Sequence, residues 1–92
     1  MSVQKRISLV ITGKVQGVGY RYSVKLKAES LAIRGYVRNL LDGSVYVTAQ
    51  GETTAVENFV KWCYNGPPAA FVRGIDKTPE SVEDFSEFSI LY

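Results

Sequence analysis

Histidine is absent from this 92-residue sequence, and cysteine occurs once, as Cys63. Without imidazole there is no Ser-His-Asp or Cys-His catalytic arrangement, no histidine-bound metal and no imidazole acid-base chemistry. A lone thiol closes no intrachain disulfide and builds no cysteine-based zinc or iron-sulfur site by itself. Long apolar runs are missing as well. The stretch from Ile7 to Ile11 is interrupted by Ser8 and is shorter than a signal-peptide core. No segment approaches the roughly 20 apolar residues of a membrane helix. These absences lead us to expect a soluble protein of a reducing compartment, cytoplasmic, with no metal, no cofactor and no membrane partner.

What is present is an ordinary globular composition, with 46% hydrophobic and 22% charged residues. The length suits one small domain over residues 1–92, since domains usually run to about 100–200 residues, and rules out a two-domain enzyme. Charge is unevenly spread. Residues 1–41 hold eight basic side chains against one acid, Glu29, a balance of +7, whereas residues 42–92 carry −5. The basic half therefore suggests a site for something anionic, a small phosphate compound or a nucleic-acid backbone. Lys25, Lys27 and Glu29 read more simply as a solvated helix face.

Apolar residues alternate at Ile7, Leu9 and Ile11, predicting a first strand over residues 6–12. After the glycine-rich stretch 13–19, Tyr20, Val24, Ala28 and Leu31 form one helical stripe. Gly35 reads as a break, followed by a second strand from Tyr36 to Leu40. Asp42-Gly43 signals a hairpin, with Val45, Val47 and Ala49 alternating beyond it. The register follows from the side-chain period of two. A two-residue turn would set Val37 opposite Thr48, on the wrong face. A three-residue loop, Leu41-Asp42-Gly43, with Gly43 left-handed, aligns the inward sets. Asn39 then points inward beside Val37, either as a structural hydrogen-bond hub or as part of a site.

The second half repeats the plan. Thr54 to Glu57 reads as a capping box, and Val56, Phe59, Val60 and Cys63 form the stripe of a helix over about residues 55–64. Cys63 is expected in the core, with Trp62 on the flank. Phe71 to Ile75 predicts a fourth strand, Lys77 to Asp84 a polar loop, and Phe88, Ile90 and Tyr92 a short fifth strand. The expected fold is therefore α+β: a ferredoxin-like βαββαβ two-layer sandwich, an antiparallel sheet with two helices on one face and a short extra C-terminal strand.

The glycine-rich stretch fails two familiar phosphate motifs. Counted from Gly13, the second glycine of a Walker A loop falls on Val18, and with Gly17 and Gly19 as the first pair the third glycine of the dinucleotide fingerprint falls on Tyr22. A Cys-x5-Arg phosphatase loop would need arginine at position 69, which is Ala69. What remains is a tight strand-to-helix loop with free backbone N–H groups at a helix N-terminus, followed at once by Arg21. That combination suits phosphate.

Gly13-Lys-Val-Gln-Gly-Val-Gly-Tyr-Arg21 and Gly35-Tyr-Val-Arg-Asn-Leu-Leu-Asp-Gly43 resemble the acylphosphatase family, in order and in spacing. Val45-Tyr-Val, Gly51, Gly66-Pro67 and Phe88-Ser-Ile90 extend the resemblance along essentially the whole chain. It implies a small, metal-free, monomeric enzyme that hydrolyses carboxyl-phosphate anhydrides such as acetyl phosphate. Its partners would be the acyl phosphate and inorganic phosphate, with no nucleic acid. Carried onto this sequence, Arg21 is the phosphate-binding arginine, Asn39 orients the attacking water, and Val15, Gln16, Gly17, Val18, Gly19 and Tyr20 form the cradle. Three positions depart from the family: Tyr20 for phenylalanine, Tyr36 for tryptophan, and Ala32 where glycine often precedes the second strand.

An acyl phosphate has a carboxylate leaving group, so its hydrolysis asks for charge stabilisation and a placed water more than a strong base. Arginine meets the phosphate as a permanently charged, bidentate fork. Other readings stay open. Gly17 and Gly19 could make a mere turn, Arg21 could pair with Glu29, and Asn39 could cap the hairpin. A phosphate-metabolite sensor without turnover would keep the same cradle. An RNA-binding ferredoxin-like domain shares the element order, and Arg34-Gly35-Tyr36 starts like its signature, but Val37, Arg38 and Asn39 do not continue it.

Overall fold

A computed structural model describes residues 3–92. The elements are β1 (Gln4–Lys14), α1 (Tyr20–Ser30), β2 (Arg34–Asn39), β3 (Val45–Glu52), α2 (Thr53–Cys63), β4 (Phe71–Glu80) and β5 (Phe88–Leu91). The strands form one sheet in the order β4-β1-β3-β2-β5. The first four neighbours pair antiparallel, but β5 runs parallel to β2. The sheet is therefore mixed where the sequence suggested an antiparallel one. Alternation fixes which face a strand buries and says nothing of its direction.

The inward sets meet in register. Leu9 lies opposite Val47, Ile7 opposite Ala49, and Val37 opposite Val47 from the other side. Leu40 N–H bonds Ser44 O at 2.9 Å, closing the three-residue loop, with Gly43 at φ 94°. Tyr20, Val24 and Ala28 of α1 and Val56, Phe59 and Cys63 of α2 complete the buried core, and Phe88 of β5 joins it. Burial pushes the Cys63 thiol up to about 12. The hydroxyl of Tyr20, an extra polar atom in this core, donates to Cys63 O at 2.7 Å and is thereby satisfied.

Several elements differ from their expected bounds. Helix α2 starts at Thr53 with Glu52 as N-cap and no side-chain cap bond, so there is no capping box at Thr54. The helix is entered directly from β3, and its start is held by Thr53, whose N–H and hydroxyl both donate to Val3 O at 3.1 and 3.2 Å. Gly35 does not break β2 but lies within it at φ 138°. A β-carbon there would overlap the Thr48 carbonyl on β3. Strand β4 continues through Glu80 because β1 pairs with it as far as Arg6, so half of the expected polar loop is strand.

The remainder of that loop, residues 81–87, has a definite course. It leaves β4 at one edge of the sheet and must reach β5 at the other. Four strand spacings amount to roughly 19 Å, within the reach of a seven-residue connection, whose eight steps span about 27 Å when extended. It crosses the face opposite the helices. Arg6 Nε donates to Ser81 O at 2.6 Å, Gln50 exchanges two bonds with the Glu83 backbone at 2.6 and 2.9 Å, and Arg34 donates to Phe85 O at 3.3 Å. Phe85 also packs edge-on to Tyr36, with ring centroids 6.3 Å apart. Arg6 pairs with Glu83 at 3.3 Å, so part of the charge asymmetry is consumed inside the fold.

Candidate functional site

The site lies where β1 gives way to α1. Val15 is buried, Val18 packs against the core, and Tyr20 is buried at the helix start, so these three residues anchor the loop inward. Gly17 and Gly19 are left exposed at φ 73° and 76°, with open space where a β-carbon would stand. Glycine is required there by the left-handed backbone, not by crowding. Gln16 is turned to another task. Its amide Nε2 donates to Leu40 O at 2.7 Å and to Ser44 O at 2.8 Å, tying the loop to the β2–β3 hairpin next to Asn39.

Gly19 is the N-cap of α1 and makes no side-chain cap bond, and the first turn carries no acid. The first intrahelical bond runs from Ser23 N–H to Gly19 O at 3.1 Å. The N–H groups of Tyr20, Arg21 and Tyr22 precede it and give that end its positive character. Arg21 in the first turn is unfavourable for the helix, since like charge meets the positive end of the dipole, and favourable for an anion. Among the described residues Arg21 forms no ion pair. Glu29 pairs with Lys25 instead, at 3.5 Å. The guanidinium donates to Leu91 O at 3.2 Å and lies 4.9 Å from the Tyr92 ring centroid.

Val15, Gly17, Gly19, Tyr20, Arg21 and Asn39 come together around one cleft of about 210 Å³, walled further by Tyr22, Ile90 and Tyr92. Asn39 Oδ1 is buried and has no hydrogen-bond partner among the described residues. Such an orphan acceptor costs about 1–3 kcal/mol, so this amide is no structural hub for the hairpin. Gly43 and Asp42 do that work: Asp42 accepts from Ser44 N–H and Ser44 hydroxyl, which hold its carboxyl below the usual range. The sequence pattern puts Ile90 and Tyr92 on a fifth strand, but it assigns neither of them, nor Tyr22, to the site. The walls from β5 depend on its pairing with β2, which no local pattern announces.

A mixed five-stranded sheet with two helices on one face, and a glycine loop, an arginine and an amide around one cleft, define a ferredoxin-like domain with a candidate site at the start of its first helix. The acylphosphatase family pattern matches residues 7–90. An acylphosphatase of Acaryochloris marina is 52% identical over 85 residues, covering 92% of this chain and 91% of that protein. The structure of an acylphosphatase from Coxiella burnetii superimposes with a TM-score of 0.92 at 39% identity, over 96% of this chain and 93% of that one. That of Bacillus subtilis acylphosphatase gives 0.93 at 37% identity, over 96% and 99%. The chain belongs to the acylphosphatase family.

Proposed function

We propose that the chain hydrolyses acyl phosphates to a carboxylate and inorganic phosphate, without a metal ion, within one acylphosphatase-like domain. The phosphoryl group sits over the N–H groups of the Val15 to Tyr20 loop, with Arg21 forked onto its non-bridging oxygens. A water is held by Asn39, donating a hydrogen bond to Oδ1, and attacks phosphorus as the bond to the acyl oxygen breaks. The proton passes to a phosphate oxygen and the carboxylate leaves. Asn39 is not a base and need not be one, since the leaving group is already stable.

The observation that carries this reading is the orphaned Asn39 Oδ1 in the same cleft as Arg21. A buried acceptor without a partner, beside a cation without an acid, suits a water and an anion arriving together. The RNA-binding alternative loses ground, because residues 81–87 run over the sheet face such a domain would use, with Phe85 against Tyr36.

The test is hydrolysis of benzoyl phosphate in excess chelator, with Arg21→Ala alongside. Activity in the parent that survives chelation and falls at least about 100-fold in the variant is the expected outcome. A parent without activity, whose melting temperature phosphate still raises, would leave a binding cradle and overturn the enzyme reading.

A further inference from the structure

We propose that the side chain of Gln16 is a positioning residue for the reaction: it holds the Asn39 amide in place relative to the cradle, and its loss is felt in turnover and not in phosphate binding. This rests on the acyl-phosphate reading above and adds the device that keeps the two halves of that site together. The cradle follows β1, whereas Asn39 ends β2, so the two belong to separate elements. Val15 and Gly17, on either side of Gln16, line the cleft, but Gln16 does not. Its Nε2 donates instead to Leu40 O at 2.7 Å and Ser44 O at 2.8 Å, 24 and 28 positions along the chain. Asn39 and Val45 are the last pair of the β2–β3 ladder, and Leu40 and Ser44 stand directly beyond them. One amide thus grips both strands a single residue from Oδ1 of Asn39.

The hairpin does not need this grip in order to close. Ser44 O already accepts from Leu40 N–H at 2.9 Å, and Leu40 O from Gly43 N–H at 3.2 Å. Ser44 N–H is taken by the Asp42 carboxylate at 2.9 Å. The two Gln16 bonds occupy the second lone pair of each carbonyl, so removing them orphans neither oxygen. What they add is a fixed distance between loop and hairpin, and ordering a long side chain for that purpose has an entropic cost that closure alone does not call for.

The side-chain type fits the task. A primary amide offers two N–H donors from one nitrogen, which two converging carbonyls require, and it brings no charge to the edge of a phosphate site. A carboxylate of the same shape offers no donor. A water held by Oδ1 reaches phosphorus in line only if Asn39 and the cradle keep their separation, and small errors in such a separation cost large factors in rate.

Hydrolysis of benzoyl phosphate, with inhibition by inorganic phosphate and thermal melting, in the parent, Gln16→Met, Gln16→Glu, Asn39→Ala and the double variant of Gln16→Met with Asn39→Ala, tests this. We expect kcat to fall about tenfold or more in Gln16→Met, with the phosphate inhibition constant within about twofold of the parent and the melting temperature near it. Gln16→Glu, ionised and without a donor, should lose at least as much turnover. In the Asn39→Ala background Gln16→Met should cost less than about twofold further, because the group it positions is gone. An active parent with near-parental kcat in both Gln16 variants overturns the positioning role alone. The same follows from weakened phosphate inhibition at unchanged kcat, from an equal loss with and without Asn39, or from Gln16 variants that no longer fold, which would make the tether structural. A parent inert toward acyl phosphates overturns the functional reading and this proposal together.

Discussion

Both ends of helix α1 turn through a left-handed residue, and they use it in opposite ways. At the N-terminus the residue is Gly19, φ 76°, unstrained and followed by backbone N–H groups that no cap side chain takes up. At the C-terminus it is Ala32, φ 56°, the one non-glycine with positive φ among the described residues. There backbone groups pair with one another: Ile33 N–H reaches Ala28 O at 2.8 Å and Ala32 N–H reaches Glu29 O at 3.1 Å, the paired bonds of a Schellman cap. The site end is relaxed in backbone and open in hydrogen bonding. The structural end is closed in hydrogen bonding and strained in backbone. Unsatisfied groups, and not backbone strain, therefore distinguish the proposed site from the structural end.

The largest effect should come from closing the open end. Asn39→Ala removes the buried orphan Oδ1, which faces the same cleft as the helix N-terminus. Turnover should drop about 100-fold or more, the size of losing one positioned polar group at a reacting centre. Phosphate should still raise the melting temperature, since the loop and Arg21 are untouched. The free protein should be no less stable than the parent, because an unpaired buried acceptor has gone. Near-parental turnover would mean that the orphan is only a packing defect, and the contrast between the two helix ends would lose its functional side.

Much of this site was legible in the chain because its signals are local. The glycines of the loop, Arg21 directly behind them, and the inward side of Asn39 all follow from spacing and from the two-residue period of a strand. The Leu41 to Gly43 loop was fixed by requiring Val37 to face Val47, as it does. What escaped depends on contacts between distant residues. Arg6 and Ser81 are 75 positions apart in the chain, and their bond helps determine the course of residues 81–87 and so how β5 arrives. With β5 came the cleft walls Ile90 and Tyr92. Gln16 is legible as a loop residue of the cradle but not as a tether, because its partners, Leu40 and Ser44, are backbone carbonyls, which leave no trace in side-chain identity. Gly35 reads as a break although it lies within β2, because in sequence a glycine required by close approach to Thr48 looks the same as one that ends an element.

The closed end can be sharpened by relieving its strain. Ala32 is exposed, and its departure from the family's usual glycine is a backbone matter, not a packing one. A left-handed conformation costs an L-residue roughly 1–2 kcal/mol, partly offset by the greater entropy glycine loses on folding. Ala32→Gly should stabilise the fold by about 1 kcal/mol in denaturant titration and leave kinetics unchanged. A destabilised variant would show that the Schellman turn carries no strain, and that the two ends differ in hydrogen bonding alone.

The smallest effect concerns groups sealed in the core between the helices, where Cys63 and Tyr20 meet. Burial pushes the Cys63 thiol up to about 12 from an ordinary 9.0, against the opposing effect of the Tyr20 hydroxyl. Tyr20 is also raised, first by burial and then by Cys63. Both groups hold their protons in the folded chain at pH values where the unfolded chain has begun to release them. Their contribution is thus fully present below about pH 9 and is lost as pH rises from there toward 12. At pH 9 only Cys63 matters much, and half-ionisation in the unfolded chain lowers stability by about 0.4 kcal/mol. Denaturation midpoints for the parent and Cys63→Ala, followed from pH 7 to pH 9.5, should differ in slope above pH 8.5 whatever their offset. The native thiol should also resist alkylation at pH 8, since neither thiolate nor access is available. Rapid labelling of folded protein would mean that the core opens locally at the C-terminal end of α2, and that the open region extends well beyond the cleft.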